Sequence, residues 1–208
     1  MTASTDTAEA PRPRGRPGYS RDDVLRRAIA LFIRHGYDAT SISDLAKDLG
    51  VSKSAIFYHF DGKESILAAA LDEALDELEQ MVSDAHDPGS NDDAYQRLRG
   101  AVVASVEILV THLPAVTLLL RVRGNSPSEQ AAMQRRRAID DQLAALVRRA
   151  VAEGTLRGDV DPDTISRLIF GMVNSVADWY HPDGVTGPAA LADIITAVLF
   201  DGLRSHLH

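Results

Sequence analysis

After residue 19, apolar side chains recur at intervals of three or four positions, which is the period of an amphipathic helix. The first such run has its apolar positions at Val24, Ala28, Leu31 and Phe32. Ser20 and Asp23 form a start signal of the capping-box type, and Gly36 is the kind of residue that commonly follows a helix end. The pattern predicts a first helix between Ser20 and Gly36.

Further start and stop signals divide the rest of the chain into helices. Ser41 with Asp44 begins a short second helix that Gly50 ends, and Ser52 caps a third helix that runs to about Phe60. The later predicted helices span about 63–86, 94–112, 115–123, 127–153, 163–180 and 189–206. The sequence shows no strand pattern and no internal repeat. The predicted fold class is therefore all-α, with about nine helices.

The first three predicted helices have the layout of a helix-turn-helix. The turn Gly50-Val51-Ser52 between the second and third is tight, and its glycine lets the chain reverse direction. In such a layout the first turn of one helix enters the major groove of DNA while another helix crosses the backbone. A small helical bundle that binds no DNA would show the same glycine turn, so the spacing alone leaves both alternatives open.

Charge is distributed unevenly along the 208-residue chain, whose net charge is −8. Residues 1–65 contain 10 Lys+Arg and 9 Asp+Glu, whereas residues 66–208 contain 12 and 21. An acidic body with a locally basic end is compatible with a polyanionic partner at that end. The first 18 residues lack periodicity and are rich in Pro, Gly, Thr and Arg, so we expect a disordered basic arm there.

Several classes of protein are disfavoured by what the sequence lacks. It has no cysteine, which excludes disulfides, a thiolate nucleophile and cysteine-ligated metal. It has no G-x-S-x-G, Walker-loop or H-E-x-x-H motif and its histidines are scattered, so we expect no enzyme, no cofactor and no metal site. A hydrolase with paired carboxylates and a helical interaction protein that binds no DNA remain as alternatives.

No apolar run is long enough for a membrane span, because arginine or aspartate interrupts each one before about 20 residues. We therefore expect no transmembrane helix and no membrane partner. The first residues also lack the apolar region of a secretion signal. The expected location is the cytoplasm.

Four motifs follow one another between Ala28 and Glu64. They are A-x-x-L-F-x-x-x-G-Y-x-A-T-S-I from Ala28 to Ile42, D-L-A from Asp44 to Ala46, G-V-S from Gly50 to Ser52 and I-F-Y-H-F-x-x-K-E from Ile56 to Glu64. With these motifs the chain resembles the N-terminal domain of TetR-family transcriptional regulators. The resemblance implies a homodimer that binds double-stranded operator DNA and is released by a small-molecule effector. The expected units are the arm at 1–18, a helix-turn-helix domain at 19–65 and a ligand-binding and dimerisation domain at 66–208.

The resemblance also carries DNA contacts over to individual positions. Positions that reach the bases are matched by Ser43, Lys53, Ser54 and Ala55. Lys53 is the candidate for guanine, because a cation matches the O6 and N7 acceptors. Positions that contact phosphate are matched by Ser41, Tyr58, His59 and Lys63. Candidates for an adjacent minor groove, with a solvated tail as the alternative, are Arg12, Arg14 and Arg16.

Some of these positions have a second interpretation. Ser41 equally suits a helix cap that needs no DNA, and His59 suits an ordinary half-buried histidine. Phe57 stands where the family usually has tyrosine, so a hydroxyl group is missing there and Tyr58 is the residue that can supply it. We expect Phe57 and Phe60 in the core of the three-helix domain.

A ligand pocket is expected among the helices between residues 63 and 153. Its candidate polar contacts, each of which also suits a purely structural role, are Glu107, His112, Thr117 and Arg121. The segment from Gly171 to Gly184, GMVNSVADWYHPDG, resembles a stretch in regulators of fatty-acid and sterol catabolism that respond to acyl-CoA thioesters. That resemblance implies that Asn174, Trp179 and Tyr180 lie near the ligand or shape the dimer contact.

The same resemblance assigns the phosphates of a CoA group to Arg121, Arg123 or the run from Arg135 to Arg137, with a solvated helix face as the alternative for the run. The expected effector is small and largely apolar, such as an acyl-CoA thioester. A free aromatic or other lipophilic compound is the alternative effector.

The last two predicted helices carry more apolar residues than one buried face requires. Small residues at Gly171, Ser175 and Ala197 allow another helix to approach closely. The resemblance implies that these two helices pair with their two-fold mates in a homodimer. A monomeric core is the alternative.

Overall fold

The computed structural model describes residues 19–201, which form nine α-helices and no strand. The all-α prediction is confirmed. The helices are α1 (Arg21–His35), α2 (Ile42–Leu49), α3 (Lys53–Phe57), α4 (Lys63–Ala85), α5 (Ala94–Thr111), α6 (Leu113–Arg121), α7 (Pro127–Ala152), α8 (Pro162–Trp179) and α9 (Pro188–Phe200). The predicted arm with Arg12, Arg14 and Arg16, and the predicted last turn of α9, lie outside the described residues.

Local signals set the starts of the first helices. The Ser20 hydroxyl accepts the Asp23 N–H at the start of α1, and the Asp23 carboxylate accepts the Ser20 N–H in return. Ser41 and Asp44 repeat this reciprocal pair at α2. Hydrogen bonds from the serine hydroxyls hold the pKa of both aspartates below the ordinary value. After α2, Gly50 adopts a left-handed conformation with φ of 67°, which favours glycine there.

Helix α3 is shorter than predicted, since it ends at Phe57 rather than near Phe60. The N–H of His59 bonds to the carbonyl of Ile56 three residues back, which tightens the last turn. Ile56 and Phe60 lie four positions apart and are both buried, whereas Phe57 is 50% exposed. The prediction that Phe57 belongs to the core is therefore wrong, because the residue after Ile56 is turned about 100° away from the buried face.

Helix α4 connects the three-helix unit, which consists of α1, α2 and α3, to the rest of the molecule. It packs against α1 at its start and against α5, α6 and α7 further along, while α1 also rests on α6. Its buried stripe includes Ile66, Leu67, Leu71 and Leu75, all nearly inaccessible to solvent. The helix is continuous across the domain boundary that the sequence suggests at residue 65. Movement of α4 or α6 is thereby coupled to the position of the three-helix unit.

Helices α5 and α7 form the centre of the larger part, where α5 contacts α4, α7, α8 and α9. Within residues 19–201, no single helix is both long enough and apolar enough to cross a membrane; α5 and α6 meet that criterion only as a pair, with a bend of 100° between them.

Candidate nucleic-acid interface and effector cavity

The first turn of α3 lies at the surface, where it is available to a large partner. Lys53, Ser54 and Ala55 are all exposed, and so is Ser43 in the first turn of α2. The Ser52 hydroxyl accepts the Ala55 N–H at 3.3 Å and also contacts the Ser54 hydroxyl at 2.8 Å. Ser52 thus fixes the first turn of α3, while the side chains of Lys53, Ser54 and Ala55 remain exposed. This arrangement suits insertion into a major groove.

The residues predicted to contact phosphate differ in how far other contacts occupy them. Tyr58 is 85% exposed. The Ser41 hydroxyl is exposed and already bonds to Asp44 at 2.6 Å. His59 is half-buried, and its Nε2 lies 3.0 Å from the carbonyl oxygen of Tyr19. Of these three side chains, that of Tyr58 is the most available to DNA.

Lys63 faces the turn between α1 and α2. Its ammonium donates to the carbonyl oxygens of Tyr37 at 2.9 Å and Asp38 at 3.4 Å, and it lies 4.2 Å from the centre of the Tyr37 ring. An ammonium has three N–H groups, so one donor direction stays available beyond these two. A phosphate contact by Lys63 stays a prediction.

A compact cavity of about 50 Å³ lies among α4, α5, α6, α7 and α8. The expected range of helices, 63–153, covers most of its wall but omits α8. The wall is mainly apolar, and its four polar side chains are Ser105, Arg136, Asp140 and Asn174. Drug-sized ligands occupy sites of about 300–1,000 Å³. A larger ligand therefore requires the surrounding helices to move apart.

An open groove of about 470 Å³ adjoins the cavity between α7 and α8. Cavity and groove share four lining residues, Arg136, Asp140, Phe170 and Asn174. The groove also contains three further arginines and two further aspartates, which are Arg137, Arg148, Arg167, Asp141 and Asp163. The mainly apolar cavity thus adjoins a groove lined by arginine and aspartate side chains.

The charges in the groove are partly neutralised by one another. Arg148 pairs with Asp163 across α7 and α8. Among the residues that the structure describes, Arg136, Arg137 and Arg167 take part in no ion pair. Reduced hydration raises the pKa of the Asp140 carboxyl, although its side chain still reaches solvent; Arg136 opposes this shift and Asp141 adds to it. The groove therefore presents three guanidinium groups that an anion can approach.

The predicted ligand residues do not converge on one place. Asn174 is the one that lines the cavity. Glu107 is exposed in a groove between α4 and α5, and Thr117 is half-buried on α6 outside the cavity wall. The Nδ1 of His112 lies 2.9 Å from Glu73, and Nη1 of Arg121 lies 3.4 Å from the carbonyl oxygen of Ile33 on α1.

Helix phase explains this dispersal. On α6 the residues facing the cavity are Val116, Leu119 and Leu120, so Thr117 and Arg121 point elsewhere. The arginine run on α7 divides in the same way. Arg136 and Arg137 line the groove, whereas Arg135 faces α4. Three further residues of the cavity and the groove were not predicted from the sequence, because they belong to no motif: Ser105, Asp140 and Arg167.

The outer surface of α8 and α9 is apolar and exposed. Leu168 is 66% exposed and Ile194 is 53% exposed, and Met172 and Trp179 continue the α8 surface. The small residues Gly171, Ser175 and Ala197 are exposed beside them. Large apolar side chains grouped on one surface commonly mark a protein interface.

Comparisons with known proteins match both parts of the chain. Residues 24–70 match the family model described as bacterial regulatory proteins, tetR family, and residues 91–203 match the tetracyclin repressor-like C-terminal domain. A curated relative, the HTH-type transcriptional repressor KstR2 of Mycolicibacterium smegmatis, is 25% identical over 202 residues, which is 93% of this chain and 95% of the relative.

Solved structures give the same result. SCO3833 of Streptomyces coelicolor A3, a member of the TetR transcriptional regulator family, is 43% identical with a TM-score of 0.81, covering 88% of this chain and 91% of that one. The structure of AibR in complex with isovaleryl coenzyme A and operator DNA is 25% identical with a TM-score of 0.71, covering 86% of this chain and 97% of that one.

Proposed function

This chain belongs to the TetR family of bacterial regulatory proteins, and we propose that it acts as a homodimer that leaves its operator when an acyl-CoA thioester binds. It is a DNA-binding transcriptional repressor, as its curated full-length relatives are named, and not an enzyme. Under this proposal residues 19–65 read DNA, residues 66–208 bind the effector and the second subunit, and the arm at 1–18 follows an adjacent groove. The place of action is the cytoplasm, where bacterial DNA lies.

The exposed first turn of α3 supports direct reading of bases. Lys53 reads a guanine there, because its ammonium matches the two acceptors on the major-groove edge. Tyr58 supplies the phosphate contact that Phe57 cannot make. The exposed apolar surface of α8 and α9 supports a second subunit, which gives two recognition helices for two half-sites.

One observation carries the effector proposal, namely that the apolar cavity and the arginine-containing groove share four lining residues. An acyl chain is apolar, whereas the CoA group carries phosphates that pair well with guanidinium groups. The chain would occupy the cavity and the phosphates would lie along Arg136, Arg137 and Arg167. The neutral thioester would then lie near Asn174 at the junction. AibR, whose fold is similar, has been solved in complex with isovaleryl coenzyme A, a CoA thioester, and operator DNA.

The small cavity volume supports a link between effector and DNA. Since about 50 Å³ cannot hold an acyl chain of ordinary length, binding requires α7, α6 or α4 to shift. Both α4 and α6 contact α1 of the DNA-reading unit. The effector therefore favours a different arrangement of the two recognition helices. It weakens operator binding by its differential affinity for the two arrangements, and by no more.

A free aromatic or other lipophilic compound is the second candidate effector. The apolar wall of the cavity, including Phe170, favours it. Such a compound would use the cavity alone, and the arginines in the groove would then have no role. The two candidates therefore differ in their dependence on Arg137 and Arg167.

The operator is first recovered by selection from random DNA. The experiment then measures whether acyl-CoAs, free fatty acids or aromatic compounds release it from the protein. The melting temperature of the protein is recorded with each compound. Arg137→Ala and Arg167→Ala should each weaken the response to acyl-CoA several-fold. The matched control is Arg157→Ala, since Arg157 pairs with Asp159 outside the groove and should leave the response unchanged. Release by aromatic compounds but by no acyl-CoA would contradict the acyl-CoA proposal. Failure of the protein to bind any DNA would contradict its function as a regulator.

A further inference from the structure

Glu64 in the first turn of α4 joins two parts of the molecule that are far apart in sequence. Its Oε2 accepts the hydroxyl of Tyr37 at 2.9 Å, and Tyr37 lies in the turn between α1 and α2. Its Oε1 accepts the backbone N–H of Ser128 at 2.9 Å, in the first turn of α7. A single carboxylate therefore bridges the DNA-reading unit and the longest helix of the ligand-binding part.

The Tyr37 end of this bridge is held firmly. The Tyr37 ring packs edge-on against Phe32 with 5.2 Å between ring centres, and Lys63 covers its face. Lys63 also donates to the Tyr37 carbonyl oxygen at 2.9 Å. Because Phe32 belongs to the core of α1, a displacement of Tyr37 moves the three-helix unit with it.

The Ser128 end is equally well fixed. The buried carboxylate of Glu129 accepts the backbone N–H groups of Arg123, Gly124 and Asn125 at 2.7–3.1 Å. This holds the loop between α6 and α7 against the start of α7. The bridge from Glu64 thus ends on a rigid support, so it can transmit a displacement.

The protonation states of Glu64 and Tyr37 favour the hydrogen bond between them. The backbone N–H of Ser128 makes the largest contribution to holding the pKa of Glu64 below its ordinary value, and Tyr37 adds to it. Burial, followed by the hydrogen bond to Glu64, raises the pKa of Tyr37. Glu64 therefore stays ionised and Tyr37 stays protonated at neutral pH.

Helix α7 connects this bridge to the effector cavity. Arg136 and Asp140 line the cavity and lie eight and twelve residues beyond Ser128, which is about 12 and 18 Å along an α-helix. Opening the cavity by moving α7 displaces Ser128 as well. We infer that Glu64 is a positioning residue, which sets the placement of the recognition helix by tying Tyr37 to α7. Its part in operator release rests on the proposed function.

The test measures how strictly the homodimer requires one spacing between half-sites. Operator is first recovered by selection from random DNA with wild-type protein, and versions with two base pairs inserted or removed between the half-sites are then compared. Two base pairs rotate one half-site by about 70°, since B-DNA has about 10–10.5 base pairs per turn. A rigidly placed pair of recognition helices should therefore lose about tenfold or more in affinity on the altered spacing.

Glu64→Ala should reduce that spacing penalty to about threefold or less and leave the preferred bases within each half-site unchanged. Tyr37→Phe removes one of the two hydrogen bonds and should give an intermediate penalty, which keeps the test available if Glu64→Ala folds poorly. Glu64→Gln retains one acceptor oxygen and should also be intermediate. The matched control is Asp48→Ala, which removes a carboxylate from its pair with Arg27 inside the DNA-reading unit.

A merely structural role for Glu64 would lower the melting temperature and leave the spacing penalty intact, as expected for Asp48→Ala. An unchanged penalty in both Glu64→Ala and Tyr37→Phe would overturn the inference while the proposed function stands. A wild-type protein that selects no DNA, or selects a single half-site, would overturn the proposed function and this inference with it.

Discussion

Arg135 of α7 donates through Nε and Nη2 to the two carboxylate oxygens of Glu79 on α4, each at 2.7 Å. The same guanidinium reaches Asp72 at 2.7 Å and Asp76 at 2.6 Å. One cation therefore joins α7 to three carboxylates of α4. Its hydrogen bonds hold the pKa of Glu79 below the ordinary value and raise that of Arg135.

Arg135→Ala should lower the free energy of unfolding by about 1–2 kcal/mol at pH 7, because three neighbouring carboxylates lose a shared partner while remaining partly hydrated. The folded-state pKa of Glu79 is depressed, so this stabilisation is present above its unfolded pKa and is lost as pH falls through the folded-state pKa. The difference between wild type and variant should therefore shrink below about pH 4. Urea unfolding at several pH values measures it.

The control for this prediction is Arg149→Ala, which removes one exposed pair with Glu153 at the end of α7. It should cost about 0.5 kcal/mol or less. An equal loss of unfolding free energy in the two variants would contradict a role for the contact with three carboxylates. So would a stability difference between wild type and Arg135→Ala that persists at pH 3.

Base reading is tested at Lys53. Lys53→Ala should cost about 1–3 kcal/mol of binding free energy on the preferred operator and relax the preference at one base pair per half-site. Selection from a randomised operator library measures the preference. Lys47→Ala, at an exposed position of α2, serves as the control and should leave the selected consensus unchanged. The same consensus from wild type and Lys53→Ala would show that Lys53 reads no base.

Phosphate contact by a hydroxyl is tested at two adjacent positions. Tyr58→Phe should weaken operator binding by about 1 kcal/mol without changing the preferred bases, because its exposed hydroxyl is lost. Phe57→Tyr should strengthen binding by a similar amount, since Phe57 is half exposed and has room for the added group. Fluorescence anisotropy with labelled operator measures both. Loss of affinity in Phe57→Tyr would place that ring away from the DNA backbone.

The subunit interface is tested on the apolar surface of α8 and α9. Leu168→Glu and Ile194→Glu each place a charge in the proposed interface and should dissociate the dimer at micromolar concentration. Sedimentation velocity measures the association state. Val185→Glu is the matched control, because Val185 is fully exposed in the loop between α8 and α9 and should not affect association. A stable dimer in both interface variants would place the contact elsewhere.

Much of the fold could be predicted because its signals are local. The pairs Ser20 with Asp23 and Ser41 with Asp44 lie within one turn and form the reciprocal hydrogen bonds that their spacing suggests. Ser126 before Pro127 marks the start of α7 in the same way. Helix number and type followed from such signals together with the apolar period.

The polar lining of the cavity and the Glu64 bridge could not be predicted in that way. Ser128 lies 64 positions from Glu64, and a contact between a carboxylate and a distant backbone N–H leaves no pattern in a single sequence. Thr117 faces away from the cavity and Ser105 faces into it, which depends on how α5 and α6 are rotated in the packed structure. The Phe57 prediction failed for the same reason, because the apolar residue lies one position past the buried stripe of α3.

The most direct test of release by an acyl-CoA is a closed thermodynamic cycle. One acyl-CoA, such as palmitoyl-CoA, is titrated into the free dimer and into the operator complex, and operator affinity is measured with and without it. Linkage requires operator DNA to weaken acyl-CoA binding by the same factor by which the acyl-CoA weakens operator binding, and we expect that factor to be about ten or more. Equal affinity of the acyl-CoA for the free and the operator-bound dimer would contradict it.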